Sequence, residues 1–115
     1  MNIDVVLPNL KTFTGSTGIF KNSGIRSLDL RGSRVEIIPS SSSSHNGFCS
    51  GCVNLKELYL NEALREIQTE AFYGCTNLEI EDLSIPNLTS LGQNAFYGVK
   101  IKKISNLGNI TALPD

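Results

Sequence analysis

Ala71-Phe72-Tyr73-Gly74-Cys75 returns 24 residues later as Ala95-Phe96-Tyr97-Gly98-Val99. Recurrence at a fixed spacing marks a chain built from stacked structural repeats. Gly47-Phe48-Cys49-Ser50-Gly51-Cys52 is the same word with one extra residue, and Phe20 adds a fourth mark, so the phenylalanines are spaced by 28, 24 and 24 residues. Leu64 and Ile67 precede Phe72 as Leu88 and Leu91 precede Phe96, by the same steps. Val35 and Ile38 precede Phe48 with five residues to spare. Those extras fall in residues 39–47, whose five consecutive serines read as a flexible loop inserted between coils. Each phenylalanine is followed by a second apolar set: Ile25, Leu28, Leu30, then Leu55, Leu58, Leu60, with Ile101 and Ile104 opening a third. Leu83 and Ile85 match the end of that set, but Leu78 precedes Leu83 by five residues instead of three, which predicts a two-residue bulge within Glu79 to Asp82. Val5, Leu7, Pro8, Asn9 and Leu10 repeat Leu83, Ile85, Pro86, Asn87 and Leu88.

A 24-residue period carrying L-x-x-L-x-L lies within the leucine-rich range, in which each repeat contributes one strand to a parallel sheet. The word A-F-Y-G-C-x-N-L at Ala71 to Leu78, following L-x-x-I at Leu64 to Ile67, together with I-P-N-L-x-x-L at Ile85 to Leu91, resembles the BspA-type leucine-rich repeat. That family is found largely in surface proteins of bacteria and some protists. The resemblance runs from about Val5 to Leu113. The chain departs from the pattern at the serine insertion, at the lengthened turn Thr14 to Gly18 and at Val99, where cysteine is usual.

The expected fold is an α/β repeat solenoid, mainly β: a leucine-rich right-handed superhelix of about four coils with a parallel sheet on its concave face. Residues 1–115 form one domain with partial repeats at both ends. A parallel β-helix, with two or three sheets per coil instead of one dominant sheet, is the alternative that the second apolar pairs (Leu64 with Ile67, Leu88 with Leu91) keep open. Ile110 and Leu113 start another repeat whose phenylalanine would fall beyond Asp115, and no polar capping coil stands at either end. Uncapped parallel edges invite pairing, so end-to-end self-association is a further expectation.

A chain of 115 residues and 12.5 kDa is the size of one modest domain. Ten Lys plus Arg against eleven Asp plus Glu offer no basic surface for nucleic acid. No apolar run reaches the roughly 18 residues needed to cross a bilayer, so membrane insertion is not expected, and Met1-Asn2-Ile3-Asp4 lacks the basic start of a signal peptide.

Candidate chemistry is thin. Cys49-Ser50-Gly51-Cys52 is a C-x-x-C, yet Cys52 aligns with Cys75 and Val99 in a core column, which favours buried thiols over a redox pair. Cys49, outside that column, is expected either exposed and reactive or bridged to Cys52. The only four-ligand zinc set is His45, Cys49, Cys52 and Cys75, without a finger spacing. Thr14-Gly15-Ser16-Thr17-Gly18 with Lys21 lacks the order of a phosphate loop. The lone histidine sits in the serine loop, where no triad can be held. No catalytic residue, metal or cofactor is expected. Asn87-Leu88-Thr89 and Asn109-Ile110-Thr111 match a glycosylation sequon, as chance allows in an asparagine-rich chain.

What remains is a strand face. Its outward positions are Arg26, Ser27, Asp29 and Arg31; Lys56, Glu57, Tyr59 and Asn61; Glu81, Asp82 and Ser84; and Lys102, Lys103 and Ser105. The bland account pairs the lysines with Glu81 and Asp82 across strands. The functional account is an extended mixed-charge platform with Tyr59 as an exposed aromatic anchor. Ligand contacts are expected from Arg26, Asp29, Arg31, Lys56, Glu57, Tyr59, Asn61, Ser84, Lys102 and Ser105. Tyr73 and Tyr97 should form a packing column elsewhere. The resemblance implies a non-catalytic module of a surface or secreted protein that binds a protein ligand of a host or another cell; a structural spacer within a longer array is the alternative.

Overall fold

The computed structural model describes residues 3–7, 9–13, 19–40, 47–108 and 110. His45, Thr14 to Gly18 and most of the serine insertion lie outside them. The described residues contain ten short strands and no helix: β1 (Ile3–Val6), β2 (Ile25–Asp29), β3 (Ile37–Ile38), β4 (Glu57–Tyr59), β5 (Glu66–Ile67), β6 (Glu79–Ile80), β7 (Leu83–Ser84), β8 (Ser90–Leu91), β9 (Lys100–Ile101) and β10 (Ile104–Asn106).

Every strand pairing is parallel, as a chain returning once per repeat requires. β1, β2 and β4 form one sheet, with Val5, Leu28 and Leu58 in one row and Val6, Asp29 and Tyr59 in the next. β3, β5 and β8 form a second, with Ile38, Ile67 and Leu91 in register. The expectation of one dominant sheet is therefore replaced by two ladders per repeat, the feature held open for the alternative architecture. A third set of backbone bonds joins the phenylalanine words: Phe20 N–H donates to Phe48 O at 2.8 Å, Cys49 to Ala71 at 2.6 Å and Phe72 to Ala95 at 2.7 Å.

Between these seams lies the core. Leu28, Leu30, Val35, Ile38, Phe48, Leu55, Leu64, Ile67, Phe72, Leu78, Ile85 and Leu88 are buried. The four marker phenylalanines make one continuous column, with centroid separations of 5.3, 6.0 and 5.6 Å. Phe13 joins it unforeseen, edge-on to Phe48 at 4.9 Å. No single repeat covers its own phenylalanine, so stability depends on neighbouring repeats. The glycine following each F-Y pair turns the chain out of this column: Gly74 and Gly98 have φ of +77° and +89°, a region costly for any residue with a Cβ.

The irregularity expected at Glu79 to Asp82 is present as a split strand. β6 pairs with β9 and β7 with β10, and neither pairs with β4. The extra residues thus interrupt the first sheet and leave a small recess of about 90 Å³ between Leu58, Leu60, Ile80, Asp82, Leu83 and Ser84. That gap explains why Leu58 and Leu60 are only half-buried. The second ladder and the phenylalanine column run across the level of the break without interruption.

Candidate functional site

The outward rows of β1, β2 and β4 carry a connected polar cluster. At the start of β2 the register slips, Ile3 facing Ile25 while Asp4 faces Ser27, so Arg26 is the extra residue of a bulge. Bulges re-aim side chains, and Arg26 thereby lies between its neighbours on both sides. It donates to Asp4 at 3.0 Å and to Glu57 at 3.1 Å. Ser27, only 8% exposed, donates to Asp4 at 2.8 Å. The Ser27 hydroxyl and then the Arg26 guanidinium hold the Asp4 carboxyl below its ordinary range.

One row further along, Asp29 and Arg31 form a bidentate pair at 3.0 and 2.7 Å, and the Arg31 backbone N–H caps the same carboxylate at 3.0 Å. These bonds lower the Asp29 pKa, the Arg31 side chain contributing most. The guanidinium lies 4.1 Å from the centroid of the Tyr59 ring, a cation–π contact. Tyr59 in turn donates its hydroxyl to Glu57, whose carboxylate pushes the phenol pKa up. Asp4, Arg26, Glu57, Tyr59, Arg31 and Asp29 are therefore one chain of contacts across three repeats.

Other expected ligand contacts lie differently. Lys56 and Ser84 are exposed, and their side chains make no hydrogen bond among the described residues. Lys102 donates to Glu81 at 3.0 Å, which raises the lysine pKa, and Ser105 donates to Asp82 at 2.7 Å. These two pairs stand beyond the break in the sheet. Of the cross-strand pairs expected for the lysines, the Lys102 one is present.

Three placements correct the sequence reading. Tyr59 is not an exposed anchor: it is half-buried between Arg31 and Glu57, and the exposed group is Arg31, with 63% of its side chain accessible. Asn61 is not outward: it is 8% exposed and donates to Ser33 Oγ at 2.8 Å, while Ser33 donates to Leu30 O at 2.7 Å. Asn61 Oδ1 is buried without a partner among the described residues, at the edge of an open recess bounded by Arg31, Ser33, Leu60 and Glu62. Cys49 is neither exposed nor bridged; all three cysteines are free and fully buried. Contacts with Cys52 and Cys75, with burial, push the Cys49 thiol far up. At Cys52, the neighbouring thiols and Ser23 favour the thiolate while burial opposes it. The Phe20 carbonyl lies 2.9 Å from that sulfur and decides for the protonated form, because an oxygen dipole aimed at a thiolate repels it. Cys75 donates to Cys49 O at 3.1 Å, and its pKa is pushed up to about 12: the Cys49 contact pulls it down, but the Cys52 contact and burial outweigh this. Inaccessible thiols of this kind do not exchange disulfides.

Asp4 and Ser33 escaped the sequence reading because their partners, Arg26 and Asn61, lie 22 and 28 residues away. The asparagines of the N-L words also have a role that spacing did not reveal: Asn77 donates to Val53 O at 2.6 Å and Asn87 to Glu62 O at 2.8 Å, each stitching its repeat to the preceding one. Among the described residues, no group of three or more His, Cys, Asp or Glu could hold a metal ion, and no helix is long and apolar enough to cross a membrane.

No curated protein and no solved structure matches the chain. A family model does: the BspA type leucine rich repeat region matches residues 42–115 in 6 copies. With well over half of the sequence covered, and with parallel strands and phenylalanines recurring in register, the chain belongs to the BspA-type leucine-rich repeat family.

Proposed function

We propose that the chain is a non-catalytic protein-recognition module of a surface or secreted protein, and that it binds a protein ligand through the β1–β2–β4 face. Leucine-rich repeats generally serve as protein-interaction modules without catalysis, and this family is associated with surface and secreted proteins. In this reading the repeats wind as a right-handed solenoid of about four coils with that face concave, and the ligand is an adhesion partner on a host or another cell.

The observation that carries the reading is the preordered cluster itself. Arg31 is exposed, yet its Nε and Nη2 are fixed by Asp29 and its plane by Tyr59. An arginine already held in place loses little freedom on binding, and arginine and tyrosine are enriched among residues that dominate protein interfaces. Arg26, Lys56 and Glu57 extend the platform around it, and Ser84, Lys102 and Ser105 continue it as a second polar surface beyond the break in the sheet.

The test is an array of extracellular proteins probed with the chain and with a Tyr59→Ala, Lys102→Glu double variant. A protein bound by the first and lost by the second supports the face. A ligand retained by the variant contradicts it. A second reading, a spacer in a longer array that associates end to end, draws on Ile3, Val6 and Ile104, exposed on β1 and β10 at 41, 58 and 43%. Concentration-dependent oligomers seen by light scattering, unaffected by the double variant, would favour that reading.

A further inference from the structure

The second ladder carries a groove that none of the sequence motifs used. Ile37, Glu66 and Ser90 stand in one row across β3, β5 and β8, on the side opposite the core row of Ile38, Ile67 and Leu91. Around that row an open groove of about 290 Å³ is lined by Ser40, Glu66, Gln68, Thr69, Ser90 and Gly92.

Two features build it. Gln68 Oε1 accepts the Ser40 backbone N–H at 2.9 Å, so the amide must present its nitrogen outward, where it donates to Glu66 Oε2 at 3.1 Å. Carboxylate and carboxamide hold each other in place, and each keeps unused capacity: one carboxylate oxygen and one amide hydrogen. The second feature is Gly92, where a Cβ would fall 2.2 Å from the Thr69 nitrogen. The repeats approach too closely there for any side chain, and the groove keeps a bare backbone floor. The Thr69 and Ser90 hydroxyls are exposed and make no hydrogen bond among the described residues.

Among the described residues this lining has one negative charge and no cation, so it disfavours phosphate, sulfate and carboxylate ligands. Its hydroxyls, carboxamide and carboxylate alternate donors with acceptors at close range, the complement of neighbouring hydroxyl groups. Ile37, 39% exposed beside Glu66, offers an apolar strip for the C–H face of a ring. We infer that this groove is a binding subsite for neutral carbohydrate, with Glu66 and Gln68 gripping adjacent hydroxyls of one hexose unit and Thr69 and Ser90 contacting the next. The site is separate from the β1–β2–β4 face and stands independently of the reading given to that face.

The experiment measures binding of the full chain to neutral gluco-, manno- and galacto-oligosaccharides by array and then by calorimetry, beside Glu66→Ala, Thr69→Ala and a Glu79→Gln control on another ladder. Circular dichroism melts confirm that each variant is folded. The expected result is binding that resists added salt, weakens about tenfold or more in Glu66→Ala, falls less in Thr69→Ala, and is unchanged in Glu79→Gln. The Tyr59→Ala, Lys102→Glu variant keeps it, which separates this site from the protein-binding face. Absence of any bound oligosaccharide, binding that survives Glu66→Ala in full, or salt-sensitive capture of a lysine- or arginine-rich peptide instead would each overturn the inference.

Discussion

Phe72 sits between Phe48 and Phe96 with no accessible surface, so it touches the repeats on both sides as well as its own. Phe72→Ala should destabilise the chain by about 3–5 kcal/mol, read as a lower urea midpoint, because the cavity opens at the joint between repeats. Gly74→Ala should cost about 1–2 kcal/mol although space for the methyl exists, since the nearest atom to a Cβ there is 3.8 Å away and the penalty comes from φ alone. For the cysteines, a thiol reagent should label none in the folded protein and all three in denaturant. Labelling of Cys49 without unfolding would contradict the structure. The phenylalanine column and the Cys52 and Cys75 column were legible in the sequence because each recurs at the repeat spacing. The burial of Cys49, Tyr59 and Asn61 was not, because each is covered by residues of other segments, such as Arg31 over Tyr59, whose placement no period encodes.

At the scale of elements, β2 and β4 follow from the spacing of Leu28, Leu30, Leu58 and Leu60, and the split of β6 from β7 follows from the two surplus residues after Leu78. The β3–β5–β8 ladder was visible only as apolar pairs. A two-residue strand has no alternation to read, so Glu66-Ile67 and Ser90-Leu91 become strands only because the repeats bring them side by side. The two carboxylates with lowered pKa values among the described residues, Asp4 and Asp29, lie on the first sheet. A carboxyl whose folded pKa is depressed contributes stability above its unfolded pKa, about 3.9, and loses it as pH falls through the folded value. Stability should therefore decline below about pH 4, and Asp29→Asn should flatten the decline. Tyr59 has the opposite sign: its raised pKa contributes below about pH 10 and is lost as pH rises through the folded value. Because none of these three groups is fully buried, both effects should be small and reduced by salt.

Across the whole molecule, three sets of bonds join neighbouring repeats: the two ladders and the phenylalanine words. One of the three is broken between β4 and the strands that follow it, which leaves Asp4 to Tyr59 as one continuous polar surface and Glu81 to Ser105 as another. The boundary between them could be anticipated from the extra residues at Glu79 to Asp82, whereas the polar groove on the second ladder could not, since it depends on Gln68 bonding to Ser40 across repeats. In the function proposed above, recognition falls to the first surface. Its most direct test is hydrogen-exchange mass spectrometry of the chain bound to its protein ligand. The predicted result is protection in peptides spanning Ile25 to Ser33 and Leu55 to Glu62. Protection confined to Tyr73 and Tyr97, whose rings stack at 4.9 Å, or to β10, with β2 and β4 exchanging as in the free chain, would contradict it.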